Sequence, residues 1–173
     1  MTMVTGATVR NRAILLFMVD TGLRASEFTA LNIADYEPRS GSVTIAHGKG
    51  DLTRTVYAGS TTRISMQKYL RTRDYTGDDP LFTTVEGTRF SFWGLRQVVR
   101  RNAERVGIPC PGLHDFRRCC AVTQLRNGMS LAHVSSWLGH QSITVTRRYL
   151  ALTDDDLRIA QVKSSPVDRW YGK

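Results

Sequence analysis

No apolar run in this 173-residue chain approaches the roughly 20 residues that a membrane-spanning helix requires. The stretch at 13–19 (AILLFMV) is too short, and no signal-peptide cleavage pattern accompanies it. A cytosolic location is therefore expected. Cysteine is scarce: Cys110, Cys119 and Cys120 make an odd count with two adjacent, which excludes a secreted disulfide framework. A metal site built from Cys110, His114 and Cys119 would have none of the usual ligand spacings. Small buried thiols are the plainer expectation, with no metal and no cofactor. Acidic residues are in deficit, 15 against 24 lysines and arginines, for a formal net charge of +9. Such a surface favours a polyanionic partner through counterion release and long-range attraction, with nucleic acid first and an acidic membrane surface second. Internal repeats, low-complexity tracts and flexible linkers are also lacking, and the length suits one domain with a real core.

What is present reads as short helices around one hairpin. Val9, Ala13, Leu16 and Phe17 recur at helical spacing over 9–20, and Gly22 falls where a left-handed cap closes a helix. This predicts a buried helix ending just before Arg24, then a short helix over 25–31 holding Glu27 and Phe28. Residues 42–46 and 52–58 alternate and are rich in β-branched side chains. With HGKGD between them they predict an antiparallel hairpin carrying Lys49 in its turn. Helical spacing returns from Thr61 to about Tyr69, with Ile64, Met66 and Leu70 apolar, and YTGDDP at 75–80 breaks it. Residues 91–106 form a strongly basic amphipathic helix with Ser91 as N-cap and Gly107 as stop. Further helices are expected over about 114–126, 131–138, 142–150 and 154–162. The expected class is α+β, mostly α-helical with a small antiparallel β-sheet.

Five short motifs fall in order: TGLRASE at 21–27, GKGD at 48–51, HDFRR at 114–118, LGH at 138–140 and TRRY at 146–149. Together they hold what breaking a DNA phosphodiester without a metal demands. The charge on the two non-bridging oxygens must be neutralised, a nucleophile presented in line, and the leaving oxygen protonated. Arg24 and Arg117 suit the first task, because guanidinium stays charged and its forked donors match phosphate oxygens. Tyr149 suits the second: its phenolate gives a covalent intermediate that keeps the bond energy for rejoining. Lys49 on a turn can serve as acid toward a 5′ oxygen. His114, three positions before Arg117, shares a helix face with it and places a proton acceptor beside the phosphate. His140, just past Gly139, sits where it can hydrogen-bond a phosphate oxygen or the leaving group. Arg147 and Arg148 flank the tyrosine, and their charge points to the DNA backbone.

TGLRASE, the lysine hairpin, HDFRR and LGHQSITVTRRY, in that order, resemble the catalytic domain of the tyrosine recombinases, the phage integrase family, over about residues 12–152. The resemblance implies that Arg24, Lys49, His114, Arg117 and His140 surround the nucleophile Tyr149. It implies cleavage of one strand at a time to a 3′-phosphotyrosyl link, release of a 5′-hydroxyl, and exchange between paired DNA sites without metal or ATP. The implied partner is double-stranded DNA, bound by a homo-oligomer, a tetramer on paired sites, with a monomer as the alternative state without DNA and nucleoid association when bound. Two positions depart from the usual pattern: Cys119 stands where threonine or serine often follows HDFRR, and Ala151 where histidine often follows the tyrosine. Most members carry an upstream DNA-binding domain, so residues 1–173 are expected to be a catalytic domain alone, either an excised fragment or a minimal member. The tail at 153–173, with Asp154–Asp156, Leu157, Ile159, Val162 and Trp170, is expected to dock on its own or a neighbouring subunit and regulate the tyrosine.

Other readings remain open for these residues. Arg24 alone is a helix-end charge or an ion-pair partner of Glu27, which itself reads as structural, as does Asp115. Lys49 alone is a solvated turn lysine, with Lys68 as an alternative donor, and Tyr149 alone is a half-buried aromatic. Trp93 and Trp137 read as core or interface packing. Residues 130–149 also fit a helix-turn-helix, which would make the chain a DNA-binding regulator without catalysis. A type IB topoisomerase uses similar arginine, lysine and tyrosine chemistry to swivel one duplex.

Overall fold

The computed structural model describes residues 6–46, 53–139, 158, 161–162 and 165–170. Two compact units divide the chain, residues 1–120 and 121–173. The first is organised by α1 (Gly6–Thr21), whose buried stripe is Arg10, Ala13, Ile14, Phe17, Met18 and Thr21. That stripe follows helical spacing but is rotated from the expected one, leaving Leu16 half-buried. Gly22 closes the helix at φ 63°, with its N–H donating to the Met18 carbonyl at 3.1 Å, the left-handed cap expected there. α2 (Ala25–Ala30) follows, and a 3₁₀ turn (Ile33–Asp35) leads to β1 (Ser42–Ile45).

β1 pairs antiparallel with β2 (Arg54–Tyr57), with Val43 opposite Val56 and Ile45 opposite Arg54. Val43, Ile45 and Val56 point into the core, the alternation that marked these segments as strands. α3 (Ser60–Leu70) lies against α1 and buries Thr62, Ser65, Met66, Tyr69 and Leu70. Ile64, an expected core position, is instead exposed. Small polar Thr62 and Ser65 occupy the inner face in its place.

α4 (Phe92–Val106) has the expected cap, the Ser91 hydroxyl accepting from the Gly94 N–H at 3.0 Å. Its buried stripe is Leu95, Val98, Val99 and Ala103. Trp93 lies off that stripe, is 73% exposed, and meets the ring of half-exposed Phe92 edge-on, so the core reading of Trp93 does not hold. α5 (Leu113–Arg126) carries HDFRR in its first turns. Asp115 there accepts from the Gly112 N–H at 2.8 Å, the structural role expected of it.

Aromatic rings weld the core of the first unit. Phe17 meets Phe28, Tyr36 and Phe82 edge-on, and Phe82 stacks between Phe28 and Tyr69 at centroid distances of 4.6 and 5.6 Å. Each such burial is worth roughly 1.5–3 kcal/mol. Phe82 and Leu81 come from the irregular segment after α3. Bonds from the Ile33 and Ala34 N–H groups to the Asp79 and Gly77 carbonyls hold that segment, and the Arg89 guanidinium adds donations to the Thr29 and Leu31 carbonyls.

In the second unit, α6 (Leu131–Leu138) is capped by Ser130 and ends at Gly139, φ 65°. Val134 and Leu138 pack with Ala121, flanked by Leu125, Met129 and Trp137. The helix expected over 142–150 lies outside the described residues. Of that expected over 154–162, Arg158, Gln161 and Val162 are described and helical. A short α7 (Pro166–Trp170) follows. The described elements are thus mostly helical with a two-stranded antiparallel sheet, the expected class. Among the described residues no helix is long and apolar enough to cross a membrane.

Gly41, at φ +78° before β1, is a backbone position with no room for a side chain. A Cβ there would stand 2.4 Å from the Ala58 carbonyl oxygen and 2.7 Å from Arg63 Cδ. Gly107 has a similar φ of +70° but open space around it. Gly41→Ala is therefore expected to destabilise by roughly 3 kcal/mol and Gly107→Ala by about 1 kcal/mol, since only the first adds a clash to the left-handed penalty. Urea unfolding of the two variants checks the order, and equal losses would contradict it.

Candidate active site

The loop between α1 and α2 is the anchor of the site. Gly22 turns the chain out of α1, and Arg24, the N-cap residue of α2, follows in extended conformation at φ −65°, ψ 152°. Glu27 folds back over this turn. Its Oε2 accepts the Arg24 backbone N–H at 2.8 Å and its Oε1 accepts Arg24 Nη1 at 2.9 Å. Glu27 thus caps the helix and holds the arginine, in line with its structural reading.

A second guanidinium grips the same carboxylate. Arg54, the first residue of β2, donates Nη1 to Glu27 Oε1 at 2.9 Å and Nη2 to Oε2 at 2.8 Å, a two-point fork. The Glu27 and Arg54 side chains are 8% and 10% exposed, whereas Arg24 is 43% exposed. Burial alone would push the Glu27 carboxyl up. The bonds from the Arg54 fork and from the Arg24 N–H and guanidinium, with the charge of Arg54, outweigh it and hold the group at about 2, against an ordinary 4.5. A carboxyl whose folded value is depressed contributes stability that is complete above the unfolded value and lost as pH falls toward the folded one. Stability from Glu27 is therefore full above about pH 4.5 and fades toward pH 2. Glu27→Gln is expected to cost about 2–3 kcal/mol at pH 7 and much less near pH 3. Thermal melts of both proteins across pH 3–7 test this, and parallel curves would refute it.

Arg117 comes to the same loop from α5. It is 1% exposed, and its Nη1 donates to the Gly22 carbonyl at 2.9 Å across 95 residues of sequence. Cys120, one turn on, adds a bond from its thiol to the Asp20 carbonyl at 3.4 Å. Burial, more than the nearby Asp20 charge, pushes this thiol up to about 12, so it stays a neutral packing group. α5 is thereby pinned to the end of α1, and TGLRASE and HDFRR meet. His114 is exposed in the first turn of α5, three residues before Arg117 and on its face.

Of the expected site residues, the structure thus describes Arg24, His114 and Arg117. Lys49, His140, Arg147, Arg148 and Tyr149 lie outside the described residues. The expectation of buried thiols holds for Cys120 but not for exposed Cys119 or half-buried Cys110. Cys119 lies off the α5 face that Arg117 and Cys120 present to the core, and the Cys110 thiol lies beside the Arg96 guanidinium. Among the described residues no group of three or more His, Cys, Asp or Glu side chains stands close enough to hold a metal ion. Arg54 is the residue that sequence reasoning missed. Its one signal is a charged residue at a paired position of an alternating strand, which does not name its partner 27 positions away.

Comparison with known proteins bears on this arrangement. Residues 1–156 match the phage integrase family. Tyrosine recombinase XerC of Corynebacterium glutamicum is 30% identical over 160 residues, covering 91% of this chain and 52% of the relative. Tyrosine recombinase XerD of Oceanobacillus iheyensis is 33% identical over 163 residues, covering 89% and 54%. Among solved structures, XerA recombinase superposes with a TM-score of 0.80 at 28% identity, over 91% of this chain and 59% of its own. XerH site-specific recombinase bound to difH substrate, a pre-cleavage complex, gives 0.72 at 27% identity, over 92% and 48%. The chain spans about half the length of the curated relatives it matches.

Proposed function

The chain belongs to the phage integrase family, and from that premise we propose that it is the catalytic part of a tyrosine-type site-specific recombinase acting on double-stranded DNA. One observation carries the reading: buried Arg117 bonds the Gly22 carbonyl at the entrance to Arg24, so two arginines from distant motifs converge on one loop. A phosphate reaching Arg117 would meet a guanidinium already stripped of water and held in place, the condition under which such a group stabilises developing charge most. The DNA complexes of XerH support DNA as the partner.

In this reading Arg24 and Arg117 neutralise the non-bridging oxygens. The Tyr149 oxygen bonds to phosphorus as its proton passes to His114, and the bond from phosphorus to the 5′ oxygen breaks. Lys49 protonates that oxygen, while His140 hydrogen-bonds a phosphate oxygen. The products are a 3′-phosphotyrosyl link and a 5′-hydroxyl, and attack by the 5′-hydroxyl of a second duplex reverses the step and rejoins. Neither metal nor nucleotide cofactor takes part. Arg147 and Arg148 hold the DNA backbone beside the tyrosine. Four copies act on two paired sites, with the protein on the nucleoid when bound, and the tail at 153–173 docks on its own or a neighbouring copy to control the tyrosine.

A pool of duplexes with randomised sequence beside a nick tests the reading, because cleavage near the nick releases a short strand and leaves the adduct stranded. Protein–DNA adducts that survive denaturation, form equally in EDTA, and join two separate duplexes are expected. Relaxation of supercoiled DNA without joining would favour a topoisomerase. Binding without any adduct would favour a regulator.

A further inference from the structure

Among the described residues three charges meet at the start of α2, and their sum matters. At least four donors converge on the two oxygens of Glu27, two from Arg54 and two from Arg24. The pair Arg24–Glu27 alone carries no net charge; with Arg54 the trio carries one net positive charge. Arg54 takes both oxygens in a fork at 2.8 and 2.9 Å and is largely buried, so the Glu27–Arg54 pair is the inner, desolvated one. Arg24 shares Oε1 with it and remains the exposed member. A guanidinium that serves an incoming phosphate must be fixed in direction without being neutralised. An acidic neighbour alone fixes it but cancels its charge.

We propose that Arg54 is a positioning residue for Arg24: by binding both oxygens of Glu27 it neutralises that carboxylate, so that Glu27 orients Arg24 without consuming its charge. The effect on DNA cleavage rests on the recombinase reading above, whereas the hold on the α2 turn does not. In this proposal Arg54 acts through Glu27. Loss of Arg54 takes the two-point fork from Glu27, which leaves more of the carboxylate's charge to fall on the exposed Arg24 guanidinium and frees the carboxylate to rotate.

The test has two arms that fail separately. In the first, amide hydrogen exchange is measured on the whole chain without DNA. Arg54→Gln is expected to speed exchange of the Arg24 amide, which donates to Glu27, at least about tenfold, with Arg54→Lys intermediate and the α4 amides unchanged. An Arg24 amide within twofold of wild type would overturn the proposal. In the second arm, adduct formation is timed on a nicked duplex selected with wild-type protein from the randomised pool. The same duplex is also made with a methylphosphonate at the scissile position. Its phosphoryl group is neutral and asks for less positive charge. Arg54→Gln is expected to slow the phosphate substrate about 10- to 100-fold and the methylphosphonate less than about threefold, with Arg54→Lys recovering most of the loss. Equal losses on both substrates would mean that Arg54 merely supports the fold, and would overturn the charge role. If wild type forms no adduct on any duplex, the recombinase reading fails, and the exchange arm alone decides whether Arg54 positions Arg24.

Discussion

Arg117→Lys is expected to lower the rate of covalent adduct formation about 10²- to 10³-fold while changing DNA binding less than about tenfold. Lysine keeps the charge but not the planar fork, and one ammonium cannot both bond the Gly22 carbonyl and face a phosphate in the geometry a guanidinium allows. Arg117→Ala carries a second cost. It removes a side chain that is 1% exposed and the donor to a buried carbonyl, so the fold is expected to lose about 2–4 kcal/mol as well. Comparing the two variants separates chemistry from stability: the lysine variant loses rate at a nearly unchanged melting temperature, and the alanine variant loses both. Fluorescence anisotropy, single-turnover trapping and thermal melts supply the three readouts. A lysine variant that forms adduct within threefold of wild type would remove Arg117 from the chemistry.

Tyr149→Phe is expected to be absolute where the Arg117 variants are graded. Deleting one oxygen removes the nucleophile, so adduct formation should fall below detection, more than about 10⁴-fold. Duplex affinity should stay within about threefold, because the phenol oxygen contributes at most one of many contacts. A regulator reading expects the same unchanged affinity but no adduct from wild type either. The wild-type and phenylalanine proteins must therefore be run side by side on the same nicked pool. A phenylalanine variant that still forms a denaturation-resistant adduct would place the nucleophile elsewhere.

How much of this was legible before the structure depends on the range of the interaction. Ser91 and Gly107 bracket α4 as written, Gly22 closes α1, and the β-branched alternation places Val43 and Val56 in the core. Each depends on neighbours within a few positions. Glu27 was readable for the same reason, since a carboxylate three residues past an N-cap reaches back to it. The contacts that assemble the site are long-range. Arg117 to Gly22 spans 95 residues and Arg54 to Glu27 spans 27, and no local pattern announces either. No local pattern marks the burial of Arg10 either. It is 9% exposed, donates to the Thr83 carbonyl, and has its guanidinium over the Phe90 ring.

Apolar side chains misled in the opposite direction. Trp93, for which core packing is one of the two expectations, and Ile64, grouped with Met66 and Leu70 on helical spacing, both lie outside the stripes that Leu95, Val98 and Val99 set on α4 and that Met66, Tyr69 and Leu70 set on α3. Periodicity decides burial over residue type in both helices. Leu81 and Phe82 show the converse: they follow the turn-forming run at 75–80 and yet enter the core, because backbone bonds to the 3₁₀ turn hold that irregular segment in place.

The most direct test of the central claim is to find which atom of the protein carries DNA. Wild-type protein trapped on the nicked pool is denatured, digested with nuclease and protease, and its peptides are sequenced by mass spectrometry. The expected result is a nucleotide joined through its 3′ phosphate to Tyr149, with a 5′-hydroxyl on the released strand. A linkage through a 5′ phosphate, an adduct on any other residue, or a duplex that binds fully and is never cleaved would contradict it.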